Sequence, residues 1–289
     1  MTELAAFLDE EALPARYRGI IERVHRPIAE TIARRCHAPV GPLVVGIAGA
    51  QGSGKSTLAQ SLALLLDSRG LKTTVLSLDD LYLPRAERER LSMAVHPLLL
   101  TRGVPGTHDV ELGLQVCDAF AQGRAIRVPR FDKARDDRRP SKEWAAISPP
   151  VDVVLFEGWC VGARPQSWSA LIDPVNQLEC EEDPHGIWRR FVNDALGGGY
   201  QTLFARVHVS VLLAAPSFDV VYRWRCEQEH KLKARVGGAA SRTMTDEEVA
   251  RFIAHYERLT RHILDEMPSR ADIVVMLDEQ RQVDSMLIR

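Results

Sequence analysis

Residues 43–57, Leu-Val-Val-Gly-Ile-Ala-Gly-Ala-Gln-Gly-Ser-Gly-Lys-Ser-Thr, constrain this chain more than any other stretch. An apolar run, Leu43 to Ala48, enters a glycine-rich turn, and the residues after it set Leu58, Leu62, Leu65 and Leu66 on one helical face. Between strand and helix lie Gly49, Ala50, Gln51, Gly52, Ser53, Gly54, Lys55 and Ser56, with Thr57 behind them, in the G-x-x-x-x-G-K-S order of a phosphate-binding loop. Glycines let successive backbone N–H groups converge on phosphate oxygens, and the helix start adds its positive dipole end. Lys55 is expected to reach the β- and γ-phosphates and the Ser56 hydroxyl to ligate Mg²⁺. Gly49 to Thr57 are therefore the candidate nucleotide-binding residues.

Apolar segments alternate with helical patterns along the rest of the chain. Thr73–Ser77, Val151–Phe156, Val207–Ala214 and Ala271–Leu277 read as further strands, most of them continuous apolar runs. Helices are predicted from about Val110 to Gln122, around Trp188 to Ala195 up to the Gly197–Gly199 stop, and from Pro216-Ser217 to about Val236. Thr245 and Glu248 form a capping box that launches another, with Val249, Phe252, Ile253, Tyr256 and Ile263 inward. Such alternation means an α/β fold with a parallel sheet covered on both faces. Residues 84–110, with Pro97, Gly103, Pro105 and Gly106, read as irregular, and residues 160–186 as an excursion. Tyr17, Ile21, Val24, Ile28 and Ile32 have helical spacing interrupted by Pro27. Residues 1–40 are thus expected to be a helical segment packed on the core of a P-loop domain spanning 41–289.

Ligands of open parallel sheets sit at the carboxyl ends of the strands. Three such ends carry chemistry here: the phosphate loop, Asp79-Asp80 after the second strand, and Glu157 after the third. Phosphoryl transfer needs a metal held by hard oxygens and a carboxylate to orient and deprotonate the acceptor hydroxyl. Asp79 is the chosen base, and Glu157 is expected at the metal, through water, or at the substrate. Ser56, Asp79 and Glu157 make up the expected metal set. Asp109 can cap the helix that starts at Val110, while His108 is a candidate substrate contact. Arg130, Asp132 and Lys133, with Arg135, Arg138 and Arg139 behind, could form an anion-binding mouth. Arg223 and Arg225 suit a helical lid that neutralises charge on the transferring phosphoryl. An exposed helix with Glu227 and Lys231 paired would look the same in sequence.

These segments together resemble the D-glycerate 3-kinase family, within the uridine kinase, phosphoribulokinase and pantothenate kinase group of P-loop kinases. The matching stretches are Gly46–Thr57, Ser77-Leu-Asp-Asp-Leu-Tyr82, Arg102-Gly-Val-Pro-Gly-Thr-His-Asp109, Val128-Pro-Arg-Phe-Asp-Lys133, Leu155-Phe-Glu-Gly-Trp159 and Tyr222-Arg-Trp-Arg225, in family order over roughly 43–280. The resemblance implies the P-loop NTPase fold with five parallel strands, ATP with Mg²⁺, and transfer of the γ-phosphoryl to a hydroxyl of a small acid. It implies Asp79 as base; Lys55, Arg223 and Arg225 are the other catalytic candidates, from the phosphate loop and the lid helix. It puts Asp79, Tyr82, His108, Arg130, Asp132 and Glu157 near the substrate. Phe131 stands where many relatives have tyrosine, and Leu81 replaces the usual phenylalanine.

The leading expectation is an ATP-dependent kinase acting on D-glycerate. A kinase of the same fold for a nucleoside, pantothenate or a sugar is the alternative, decided by whether Arg102, Arg130 or Arg138 enters the acceptor pocket. A regulatory ATP-binding protein would lack the base or the lid arginine, and both are present. A net charge of −2 gives no basic field for nucleic acid or membrane surfaces. Five scattered cysteines, none in a C-x-x-C pair, fit a reducing compartment. Residues 1–15 have acidic side chains and no long apolar core, so a cytoplasmic protein is expected.

Overall fold

The apolar run ahead of the phosphate loop forms β1 (Leu43–Gly49), at the centre of a six-stranded sheet in the computed structural model. The structure describes residues 6–9, 11, 13–14, 16–36, 41–236 and 244–289, with backbone alone for 231–236. The other strands are β2 (Thr73–Ser77), β3 (Val153–Gly158), β4 (Val209–Ala214), β5 (Ile273–Leu277) and β6 (Val283–Ile288). Their order is β6-β5-β4-β1-β3-β2, parallel except for β6, which pairs antiparallel with β5. The five expected parallel strands are present and the sixth is an addition. Only Val283 and Met286 of this edge strand are half-buried and the other four residues are exposed, so no buried apolar run marked it.

β1 and β3 are buried almost throughout, and the two faces of the sheet feed separate cores. Val45 and Ile47 pack with Ile28 and Ile32 of α1 (Arg26–Arg35) and with Leu58, Leu62 and Leu66 of α2 (Lys55–Asp67). Val44 and Ala48 turn the other way, toward Val116 and Phe120 of α4 (Val110–Ala121) and Leu259 and Ile263 of α7 (Asp246–Glu266). Each Leu or Ile so buried is worth about 1.5–3 kcal/mol.

The N-terminal helical stretch is one run with a fault in it. Tyr17–Ile20 leads into a π-helical turn, Ile21–His25, and that into α1, whose first turn holds Pro27. Proline offers no N–H and its ring crowds the carbonyl four residues back, so a wider turn there relieves both. Ile21, Ile28 and Ile32 are fully buried, and His25 Nδ1 lies 2.9 Å from Ser61 Oγ on α2. Ile21, Ile28 and Ile32 join the same core cluster as Val45 and Ile47.

The stretch expected to be irregular and the excursion after β3 both carry helices. α3 (Arg85–Ala94) and a 3₁₀ turn, Pro97–Leu100, fill the first. α3 lacks an apolar stripe because the residue it buries is Arg88, whose guanidinium donates to the carbonyls of Leu83, Leu100 and Asp136. The second contains Gln177–Glu182, capped by Asn176. The glycines at 197–199 separate α5 (Ile187–Gly197) from a further short helix, Gly199–Phe204. α6 (Asp219–Val236) is the expected lid helix, and Thr245 and Glu248 form the expected capping box of α7. Among the described residues no helix is long and apolar enough to cross a membrane.

Candidate active site

The phosphate loop leaves β1 and winds into α2 with Gly52 and Gly54 at positive φ. Gly52 has a second constraint: a Cβ there would come within 2.9 Å of Trp224 Cβ on α6, so the loop and the lid helix touch backbone to side chain. Ser53 Oγ and Gln51 Oε1 are buried and find no hydrogen-bond partner among the described residues. Buried polar atoms without partners are costly, and here they line a crevice with Lys55, Ser56 and Thr57.

Glu157 sits in β3 between the other two strand ends, opposite Ile47 of β1 and Ser77 of β2. That register brings three loops to one carboxylate. Glu157 Oε1 accepts from Ser77 Oγ at 2.6 Å and from Ser56 Oγ at 3.4 Å, and the side chain is buried. The neighbouring hydroxyl and carboxylate are hard oxygens of the kind Mg²⁺ takes.

Ser77 also caps the 3₁₀ turn Leu78–Leu81 that holds the two aspartates, and they do different work. Asp80 turns to the 130s loop, accepting from Arg130 Nη1 at 2.8 Å and from the Phe131 N–H at 3.0 Å. Burial raises its pKa against those bonds. Asp79 turns into the crevice. Its Oδ1 accepts from the Tyr82 hydroxyl at 2.6 Å and its Oδ2 from Lys133 Nζ at 2.7 Å. Burial alone would raise the Asp79 carboxyl, but the charges of Lys133 and Lys55 and the two hydrogen bonds hold it well below the usual carboxylate range.

The arginines separate cleanly. Arg130 is held by Asp80, and Arg138 by Asp109 at 3.0 Å and by the Tyr82 carbonyl at 2.9 Å. Arg102 instead lines the crevice with Asp79, Tyr82 and Lys133. It ion-pairs with Asp136, a non-glycine residue at φ 55°, and its guanidinium lies over the rings of Phe131 (5.6 Å) and Tyr82 (5.9 Å). On the lid, Arg225 lines the crevice and pairs with Glu229, whereas Arg223 is exposed and paired with Glu279 outside it. Glu227 pairs with Arg281, and the Lys231 side chain lies outside the described residues.

Two other candidates stand behind the crevice wall. His108 is buried, with its ring 4.8 Å from that of Tyr82 and Nδ1 2.6 Å from the Tyr200 hydroxyl. Burial lowers its pKa to about 4, so the ring is neutral. Asp132 accepts the N–H groups of Ala134 and Arg135 and so shapes the turn that carries Lys133. The crevice, about 910 Å³, is also lined by Trp159, Phe252 and Tyr256 and by Tyr17, Ile20 and Gln280–Gln282. Lys133 was legible as part of a charged run but not as the partner of Asp79.

The chain is 37% identical over 226 residues to "Uncharacterized kinase mug58" of Schizosaccharomyces pombe, covering 74% of this chain and 78% of that protein. It is 32% identical over 263 residues to "D-glycerate 3-kinase, chloroplastic" of Arabidopsis thaliana, which takes in 84% of this chain and 54% of the longer plant protein. Its fold superposes on the solved D-glycerate 3-kinase of Cryptococcus neoformans with a TM-score of 0.74 at 26% identity, covering 92% of this chain and 99% of that one. The chain belongs to the D-glycerate 3-kinase family of P-loop kinases. Residues 21–82 also match the family described as methylmalonyl Co-A mutase-associated GTPase MeaB, a stretch that holds the phosphate loop and Asp79. In this member of the kinase family the matching segments converge on one crevice, and the chain is a small-molecule phosphotransferase with a hydroxyl acceptor.

Proposed function

We propose that this kinase transfers the γ-phosphoryl of ATP to a hydroxyl of D-glycerate, giving 3-phosphoglycerate, with Asp79 as base. The observation that carries the reading is the sharing of one crevice by the phosphate loop, Asp79 and Arg102. Loop N–H groups, Lys55 and the Ser53 hydroxyl would hold the phosphates, which gives the buried Ser53 oxygen a partner. Ser56 and Glu157 fit Mg²⁺ by donor type and proximity, Glu157 through water. When bound, Mg²⁺ would supply positive charge that offsets the charge of the phosphates.

Asp79 would orient the acceptor hydroxyl and take its proton as the new O–P bond forms and the bond from the γ-phosphorus to the departing ADP oxygen breaks. Tyr82, bonded to one carboxylate oxygen, fixes which oxygen faces the acceptor. Arg102 offers a planar fork suited to a carboxylate, and Arg225 reaches the crevice from the lid to offset charge on the transferring group. A neutral acceptor would leave Arg102 and Lys133 with nothing new to bind, which is why an acid is favoured over a nucleoside or sugar. Product analysis tests this: ³¹P NMR of a reaction with ATP, Mg²⁺ and D-glycerate should show 3-phosphoglycerate, and a product of ATP hydrolysis alone would overturn the proposal.

A further inference from the structure

Both oxygens of Asp79 are engaged in this structure, and the two partners differ in kind. Tyr82 is buried, lies three residues away on the turn that carries Asp79, and packs edge-on against Phe131 at 5.1 Å. Lys133 is on a separate element, at the tip of the short antiparallel pair Phe131–Asp132 and Asp137–Arg138, and its side chain is 61% exposed. The tip itself is held by Asp132 and by the Asp80 bond to the Phe131 N–H, so the free part is the four-carbon stem. A flexible ammonium on a fixed loop can change partners without moving the backbone.

The surroundings supply a second partner. Arg102 and Lys133 line the same crevice, and Arg102 is neutralised by Asp136 as Lys133 is by Asp79. An acceptor carboxylate entering between them meets two cations, only one of which is bonded to the carboxylate needed as base.

We propose that Lys133 passes from Asp79 to the carboxylate of the acceptor, so that an anionic acceptor frees the base and a neutral one does not. Lys133 is then a specificity-determining residue. This rests on the reading of Asp79 as the base. An acid brings the charge that draws Lys133 away, leaving Asp79 Oδ2 open to the hydroxyl. Glycerol, which has the hydroxyls and no carboxylate, leaves the pair closed. The exchange makes and breaks only hydrogen bonds and one ion pair.

The test uses the full chain with D-glycerate and glycerol as acceptors, in wild type, Lys133→Met, Lys133→Arg and Asp79→Asn. Lys133→Met should raise KM for D-glycerate at least tenfold while kcat changes less than threefold, and should raise kcat/KM for glycerol several-fold over wild type. Lys133→Arg should recover most of the D-glycerate KM. Calorimetric titration of D-glycerate adds a readout free of turnover: Asp79→Asn should bind the acid at least as tightly as wild type, because its Lys133 is no longer held. An unchanged KM in Lys133→Met, or weaker binding in Asp79→Asn, overturns the exchange. The base reading fails separately, if Asp79→Asn keeps wild-type turnover; if it loses turnover while Lys133→Met leaves KM unchanged, the base stands and the exchange falls.

Discussion

Trp159 donates its indole N–H to the carbonyl oxygen of Gly103 at 2.8 Å, tying the end of β3 to the turn that presents Arg102. From the opposite side the Tyr256 hydroxyl, on α7, donates to the Arg102 carbonyl at 2.9 Å. The two aromatic rings meet edge to face at 4.9 Å, and both are buried. The position of the crevice arginine is therefore set through its backbone by groups from two separate elements. Its guanidinium is set by Asp136 and by the rings of Tyr82 and Phe131.

Gly103 is the vulnerable point of that arrangement. Its φ is +122°, and a Cβ would overlap the Tyr256 hydroxyl and ring. Gly103→Ala should cost about 2–4 kcal/mol from the disfavoured backbone and the overpacking together. Urea unfolding measures it. A loss under about 1 kcal/mol would mean that the turn relaxes freely and that Arg102 is not fixed as described.

Arg102 should govern binding of the acid more than the chemical step. Arg102→Ala is expected to raise KM for D-glycerate by about tenfold or more with a smaller change in kcat, since a lost carboxylate contact of this kind is worth about 1.5–3 kcal/mol. Arg102→Lys should recover only part, because an ammonium lacks the paired donors. Steady-state kinetics with D-glycerate varied at saturating ATP decides this. Equal losses for Arg102→Ala and Arg130→Ala would contradict the separation of the two by their partners.

The lid arginines should behave unequally. Arg225 lines the crevice and Arg223 is exposed and paired with Glu279. Arg225→Gln is expected to lower kcat by about 10²-fold or more, as loss of a group aimed at developing charge does. Arg223→Gln should stay within about threefold of wild type, since an exposed ion pair contributes about 0–1 kcal/mol. The reverse ranking would move the phosphoryl to the other side of α6.

Most of the frame was open to reading because it rests on local pattern. Apolar runs of buried strands, the phosphate loop, Asp109 as the cap of α4 and the capping box at Thr245 each act within a few residues. The misses share a physical cause: the deciding partner is remote in sequence. α3 buries an arginine, so it has no apolar stripe, and Arg88 makes sense only beside the carbonyls of Leu83, Leu100 and Asp136. Arg102, Arg130 and Arg138 are alike as residue types. They are told apart by Asp136, Asp80 and Asp109, which only the fold brings to them. The N-terminal helices show periodicity but not what they face, so the place of Tyr17 and Ile20 in the crevice lining was not foreseen.

Three buried histidines give the fold a pH dependence of definite sign. Burial lowers His25, His108 and His255 to about 4, against about 6.5 in an unfolded chain. Above about 6.5 both states are neutral and the contribution is complete. Between about 6.5 and 4 the unfolded chain binds protons that the folded chain refuses, so stability falls as pH falls. Melting temperature should drop steadily from pH 7 to pH 5, and His255→Gln should make that slope shallower whatever it does to stability at pH 7. An unchanged slope would mean that His255 is protonated in the folded state.

In the proposed reaction Asp79 accepts the proton from a hydroxyl of a small acid bound beside the phosphate loop. The most direct test is the rate of ADP release from ATP with Mg²⁺, across D-glycerate, L-glycerate, uridine, pantothenate and ribulose 5-phosphate, for wild type and Asp79→Asn. Release with D-glycerate is expected well above that with the other acceptors, falling by about 10²-fold or more in Asp79→Asn. Release with D-glycerate that persists in the variant, or release that no acceptor stimulates, would contradict this reaction.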